Sequence, residues 1–433
     1  MKKDFLLIIS FLVLFSCSNN DDSNVEGEIP NGSNPVSEEE TAEEVEVYNA
    51  DLVHDNLTLI MENGGTTASL ITKKGNPLHE WEFDLSLGND LELLDNGQLL
   101  GMFKIPDPAF TLGGYGGVIR FINPDNSVAW EYTYSTENEI CHHDVELLPN
   151  GNLLFMIWEK ITVEEANSKG IVTTVPIYPE KLIEINKDSR QIVWQWRSWE
   201  HLVQEADENL STYGVVADNP NKINFNYNLP DDGDVTHANG IDYDPVKDVI
   251  FVSVNALSEV WVVDHSTSIL EAMQSTGGSY GKGGDLIYRF GNPEVYNNAQ
   301  GERRFFNNHY PNFLQNEEVG AGNMLIYNNG TNVEQSTAYE LAMPADYKLV
   351  ANADNEPAVV WSFTDPDMFY GKLSGVTRLS NGNTMICEGD YGYWEVTTAG
   401  EVVWKYNGKQ STYWRGYSYD LDDEAVINLG LSF

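Results

Sequence analysis

Short apolar, β-rich runs recur along this chain, broken by polar Asn-Gly turns, and no long stretch carries a helical periodicity. "ELLDNGQLLGMF" begins at Glu92, "ELLPNGNLLFMI" at Glu146 and "TRLSNGNTMICE" at Thr377. Each predicts a strand, a two-residue Asn-Gly turn and a second strand, the strongest short-range hairpin signal. A third strand follows in "VIRFI", "KLIEI", "EVWVV" and "YWEV". A fourth carries a tryptophan near its centre, in "PLHEWEFDL", "SVAWEYTY", "QIVWQWRS", "AVVWSFTD" and "EVVWKYNG". One unit ends instead in "DLIYRFG", with Tyr288 in the tryptophan's place.

Counted this way, six units begin near Leu57, Leu91, Val145, Gly240, Asn312 and Gly375. Repetition of one four-stranded unit marks a radial architecture. Six copies predict an all-β chain folded as a six-bladed β-propeller, which leaves few exposed strand edges around a central channel. A pair of packed sheets would not explain six copies of one pattern. The closing segment from Thr412, "TYWRGYSYDLDDEAVINLGLSF", is predicted to add the strand that closes the ring. Three connections, about 162–179, 200–234 and 291–304, exceed ordinary hairpin loops and are expected to shape a site on one face.

Composition adds a different kind of segment at the N-terminus. Lys2 and Lys3 precede an apolar run from Phe5 to Phe15, and "LFSC" ends at Cys17. This resembles a bacterial lipoprotein signal peptide over residues 1–17, with Cys17 as the lipidated residue. The run is too short to span a bilayer comfortably. The following "SNNDDS" resembles the acidic export tag of surface lipoproteins, which implies an outer-membrane or cell-surface position with the membrane met only through the lipid anchor. From Ser18 to Glu46 there are ten acidic residues and no Lys, Arg or His. Such a segment cannot bury enough surface to offset its ordering entropy, so 18–46 reads as a disordered tether and 47–433 as the propeller.

The formal net charge is −43. That argues against nucleic acid as a partner, because its phosphates need Lys and Arg. Beyond Cys17 only Cys141 and Cys387 remain, enough for one disulfide in an oxidising location and too few for a cysteine-type zinc site.

Eight histidines occur, and two are adjacent in "EICHHDVELLPNGNLL". His142 and His143 precede the first strand of the third unit, His237 that of the fourth and His309 that of the fifth. In a propeller such positions lie at the channel mouth and converge on the axis. His54, His79, His201 and His265 show no such relation. A lone histidine before a strand is often a satisfied loop residue; three at equivalent places in successive units point to a shared site. A zinc site from His142, His237, His309 and Asp144 is the rival reading. Asp231, Asp232 and Asp234 in "LPDDGDV" read as solvated loop residues rather than calcium ligands. Tyr115, Tyr213, Tyr310 and Tyr393 can stack on an aromatic substrate or pack between blades.

Here the segments "HHDVELLPNGNLL", "THANGIDYDPVKDVIFVSV", "NNHYPNF", "NMLIYNNG" and "WRGYSY" resemble the bacterial arylsulfotransferase (aryl-sulfate sulfotransferase) family over about three quarters of the chain. The resemblance implies a six-bladed propeller that moves a sulfuryl group from an aryl sulfate ester to a phenol. It implies a transient sulfohistidine, no nucleotide sulfate donor, no cofactor and no metal. It places His309 as the nucleophile, His237 as a second active-site histidine and one of His142 and His143 as the third. Which of the two enters the channel stays open: the His-x-Asp pattern favours His142, the spacing of His309 favours His143. Asn239, Asn255 and Arg415 are the implied substrate-binding residues. One departure stands out. Where the family has an arginine after "SV", this chain has Asn255, which donates hydrogen bonds without charge. Arg415 or Lys282 is the candidate compensating cation. The alternative reading is a propeller that has lost its chemistry and binds a sulfated, aromatic or glycan ligand. The oligomeric state is open.

Overall fold

In a computed structural model of the chain, residues 40–409 and 411–431 are described. The signal peptide, Cys17 and residues 18–39 of the expected tether lie outside the described residues. Six antiparallel sheets form the six blades of a β-propeller. Five have four strands and one has five. The first strands of neighbouring blades contact one another and so form the inner ring, as between Glu139–Leu147 and Ala238–Asp244, and between Ala238–Asp244 and Asn308–Phe313.

Closure is double. The C-terminal strand Tyr417–Asp420 pairs with Asn56–Met61 as the innermost strand of the first blade. The unit beginning near Leu57 therefore starts on its second strand, a correction to the sequence reading. At the other edge Val45–Tyr48 pairs with Val402–Asn407 as a fifth, outermost strand of the sixth blade. The propeller thus begins inside the segment read as tether, because the alternating Val45 and Val47 find an unpaired strand edge to cover.

The tryptophan strands are the fourth of their blades counted from the channel, outermost in all but the sixth, and three of their indoles reach across a seam. Trp196 Nε1 donates to Gly284 O at 2.7 Å, Trp404 Nε1 to Lys73 O at 2.6 Å and Trp361 Nε1 to Thr398 O at 3.1 Å. In each case the acceptor lies in the next blade. Each indole covers apolar surface and satisfies its only donor across the seam, as a buried Trp N–H usually does.

The Asn-Gly turns are not two-residue turns. Leu94 N donates to Gln98 O and Gly97 N to Leu94 O, both at 2.8 Å, and the same pair of bonds recurs at Leu148/Gly151 and Leu379/Gly382. Only the glycines have positive φ: 78°, 81° and 90° at Gly97, Gly151 and Gly382. This is a type I turn with a glycine bulge, a three-residue loop, whereas a two-residue type I′ turn would place the asparagine at positive φ too. The one disulfide that the cysteine count allows does not form: Cys141 and Cys387 are both free and buried, on the third and sixth blades.

Candidate active site

The inner strands do not run straight to the channel mouth. In the third blade His142 pairs with Met156 and Val145 with Phe155, so His143 and Asp144 bulge out of the ladder. In the fifth, His309 pairs with Tyr327 and Asn312 with Leu325, with the irregularity at Tyr310 and Pro311. In the fourth, the shift lies between Ala238 and Gly240. Bulges re-aim side chains and cluster beside functional sites. Backbone strain marks the same places: φ is 57° at His143, 38° at His237 and 57° at Tyr310.

The result is a cavity of about 420 Å³ at the channel mouth. His143, His237 and His309 line it, together with Asn255, which resolves the choice left open by spacing. By register His142, not His143, is the counterpart of His237 and His309, since each lies three residues before the first strand residue after its bulge. The left-handed turn at His143 inverts that order: it swings His143 in and leaves His142 fully buried behind it, its ring stacked on Trp158 at 3.8 Å.

His309 is nearly buried, and its Nδ1 lies 2.7 Å from Asn329 Oδ1. Asn329 Nδ2 donates to two carbonyls, Tyr370 O at 2.8 Å and Leu373 O at 3.1 Å. Those bonds fix which end of the amide faces the imidazole. Oδ1 can only accept, so Nδ1 carries the hydrogen and Nε2 holds the lone pair. Burial lowers the pKa of His309 to about 3, so it is neutral at physiological pH.

His237 differs. Its Nδ1 lies 2.5 Å from Asp234 Oδ2, and its backbone N donates to Asp234 Oδ1 at 2.9 Å. Burial disfavours the imidazolium, but the Asp234 carboxylate outweighs it and the pKa is raised above the ordinary value. His143, 5.1 Å from His237 between ring centroids, is held well below the usual range chiefly by burial, with the surrounding histidines and Arg415 adding to it. Neighbouring imidazoles are thus driven apart, leaving neutral and cationic rings side by side in one cavity.

The expected substrate-binding residues scatter. Asn255 lines the cavity, but Nδ2 donates to Asn308 O at 3.1 Å and Oδ1 accepts from Asn307 at 2.9 Å. Asn239 is buried, donating to Asn308 O at 2.7 Å. Arg415 is also buried and does not line the cavity: it pairs with Asp144 at 2.6 Å and Asp90 at 3.1 Å, under the ring of Tyr310 at 3.9 Å. Its charge is spent on two carboxylates and cannot serve as the compensating cation. Lys282 lines a different depression, with Tyr280 and Tyr347.

Several lining residues were not anticipated. Lys372 is exposed at the cavity with Tyr370, and it lies three positions before Gly375, the same offset as His309 from Asn312. Comparing offsets across all units would have found it. Gly113 and Gly114 of "LGGYGG" press against the histidines: a Cβ at Gly114 would sit 2.1 Å from His143 Nε2. Asp234, read as a solvated loop residue, is buried as the partner of His237. Of the tyrosines named from sequence, Tyr310 and Tyr393 are buried and Tyr213 is exposed; none lines the cavity. His54, His79, His201 and His265 are engaged elsewhere, by Asp420, Pro124 O, Asp285 and Asp248 respectively. Among the described residues no group of three or more His, Cys, Asp or Glu is arranged to hold a metal ion.

No curated protein matches the chain significantly. Among solved structures, a functionally unknown protein from Desulfotomaculum acetoxidans is 9% identical, covering 84% of this chain and 99% of its own, with a TM-score of 0.43. The WD40 domain of Toxoplasma gondii coronin is 9% identical over 84% of this chain and 68% of its own, with a TM-score of 0.39. At those values neither bears on function. The profile of the arylsulfotransferase (ASST) family matches residues 43–420, nearly the whole propeller with all its cavity histidines. The chain belongs to the arylsulfotransferase family, transferases whose substrates are small aryl sulfates and phenols.

Proposed function

We propose that the enzyme works through a covalent sulfohistidine at His309, without a nucleotide sulfate donor. Nε2 of His309 attacks the sulfur of an aryl sulfate in line. The N–S bond forms as the S–O(aryl) bond breaks, and the phenol leaves with a proton from His143. In the second half the acceptor phenol returns a proton to His143, its oxygen attacks the same sulfur, and the N–S bond breaks to regenerate neutral His309. Charge in such a transfer spreads over three equatorial oxygens, as in phosphoryl transfer, so cationic donors are needed there. The imidazolium of His237 and the ammonium of Lys372 take that role in place of the arginine replaced by Asn255.

The observation that carries this reading is the tautomer of His309: Nδ1–H is tied to Asn329 and Nε2 is unpaired in a cavity lined by two further histidines. Mass spectrometry of protein quenched with 4-nitrophenyl sulfate is expected to find a sulfuryl adduct on His309. Transfer to phenol that survives His309→Ala unchanged would sink the mechanism. The sequence before the propeller supports a second part of the proposal, export to the outer membrane or cell surface as a lipoprotein anchored through Cys17. Metabolic labelling with a fatty acid that is lost in Cys17→Ser tests it.

A further inference from the structure

Behind the cavity lies a buried chain of three titratable groups that the reaction above uses only at its near end. Nδ1 of His143 is 2.8 Å from Nδ1 of His142, and Nε2 of His142 is 2.8 Å from Glu180 Oε1. All three residues are buried, Glu180 completely. Thr236 Oγ1 donates to Glu180 Oε2 at 3.3 Å, and among the described residues no Lys or Arg pairs with this carboxyl. Though 2.8 Å apart, His142 Nε2 and Glu180 Oε1 fall outside hydrogen-bond geometry, and neither atom has another hydrogen-bond partner among the described residues. At 2.8 Å two facing lone pairs would repel, so a proton still belongs between them. The terminal torsion of Glu180 is broad and soft, and a turn about it is the adjustment a hydrogen bond here requires.

Counting protons gives two states. With Glu180 protonated, it donates to His142 Nε2; His142 Nδ1–H donates to His143 Nδ1; and His143 presents Nε2–H to the cavity. The trio is then neutral. With one proton fewer, Glu180 is a carboxylate, both contacts run the other way, and His143 presents a bare Nε2. Burial favours the neutral state, since it raises the pKa of Glu180 and lowers that of His142 well away from their ordinary values.

We propose that Glu180 and His142 are a proton relay for His143. The inference rests on the sulfohistidine reaction above. A neutral imidazole is a very weak acid on its own. It surrenders Nε2–H readily only if a proton reaches Nδ1 in the same step. In the donor half-reaction His143 Nε2 gives its proton to the leaving phenolate, His142 Nδ1 passes one to His143 Nδ1, and Glu180 passes one to His142 Nε2. The negative charge ends on Glu180. In the acceptor half-reaction the phenol's proton enters at His143 and the sequence reverses, so protons balance over one turnover. Trp158, stacked on His142, keeps the wire dry and its ring in place.

The test compares donors by leaving group in single-turnover sulfation of His309. Nitrophenolate leaves without a proton; unsubstituted phenolate needs one. Glu180→Gln is expected to slow phenyl sulfate about 100-fold while leaving 4-nitrophenyl sulfate near the wild-type rate. Equal losses on both donors would overturn the relay and assign Glu180 a structural role. His142→Phe keeps a ring against Trp158 and is expected to give the same donor-dependent loss. A wild-type measurement does not depend on either variant folding. With phenyl sulfate the rate in mixed H₂O–D₂O is expected to curve with deuterium fraction, reporting several protons in flight; a straight line overturns the relay. Absence of any His309 adduct in wild type overturns the sulfohistidine reading itself, a result distinct from equal losses.

Discussion

Asn329 Oδ1 lies 2.7 Å from His309 Nδ1, and this contact places the hydrogen on Nδ1 and the lone pair on Nε2. The amide cannot flip without losing both carbonyl acceptors, at Tyr370 and Leu373. Asn329→Ala is therefore expected to lower kcat by about 10²-fold with little change in KM, because the ring is free to present the wrong tautomer. Steady-state kinetics with circular dichroism checks it. An unchanged kcat in a folded variant would remove Asn329 from the site.

The basicity of His237 rests on Asp234, whose carboxylate outweighs burial. The raised pKa means the imidazolium persists above the ordinary histidine range and is lost as pH rises through the raised value. Activity that needs this cation falls along the same alkaline limb. In Asp234→Asn that limb of kcat/KM is expected to move to lower pH. A limb that stays where it was would show that His237 does not act as a cation.

His309 titrates in the opposite sense. Its pKa of about 3 in the fold lies below the unfolded value, so between pH 6.5 and 3 the unfolded chain binds a proton that folded His309 refuses. That destabilises the fold progressively as pH falls. His309→Gln is expected to lose about 2 kcal/mol less than wild type between pH 7 and pH 5, measured by denaturant unfolding. Parallel losses would contradict the assignment of a buried neutral ring.

Lys372 is the only Lys or Arg lining the cavity among the described residues. Lys372→Ala is expected to raise KM for aryl sulfates about tenfold, with Lys372→Arg close to wild type. Because the group is exposed, rising salt is expected to erode the wild-type advantage. Indifference of KM to all three changes would leave the sulfuryl oxygens to His237 alone.

Gly114 leaves no room for a side chain: its φ is 88°, and a Cβ would lie 2.1 Å from His143 Nε2. Gly114→Ala is expected to displace His143 and cost about 10²-fold in kcat while the blades stay folded. Activity beside a melting curve tests it, and a fully active Gly114→Ala would mean His143 tolerates displacement.

The repeat was legible because every blade solves the same problem. Its fourth strand must pack on the next blade, and in the third, fifth and sixth blades Trp196, Trp361 and Trp404 do this with an apolar face and one donor, where the pattern placed them. The three histidine segments were legible because equivalent blade entrances converge. The hairpin type was misjudged because a glycine bulge and a type I′ turn share the Asn-Gly signature. Asp234 was misjudged because an aspartate-rich loop looks the same whether it faces water or a histidine.

Sequence alone determined a six-fold β pattern and the placing of His237 and His309 at the channel mouth, since these follow from local periodicity and order along the chain. Only the tertiary structure decided the rest. Spacing cannot reveal a bulge that gives His143 a left-handed φ, so it could not choose between His142 and His143. Nor could it show that Arg415 is neutralised by Asp90 and Asp144 while Lys372 stands at the cavity. Those outcomes depend on which side chains meet from different blades, a property of distance in space that distance along the chain does not encode.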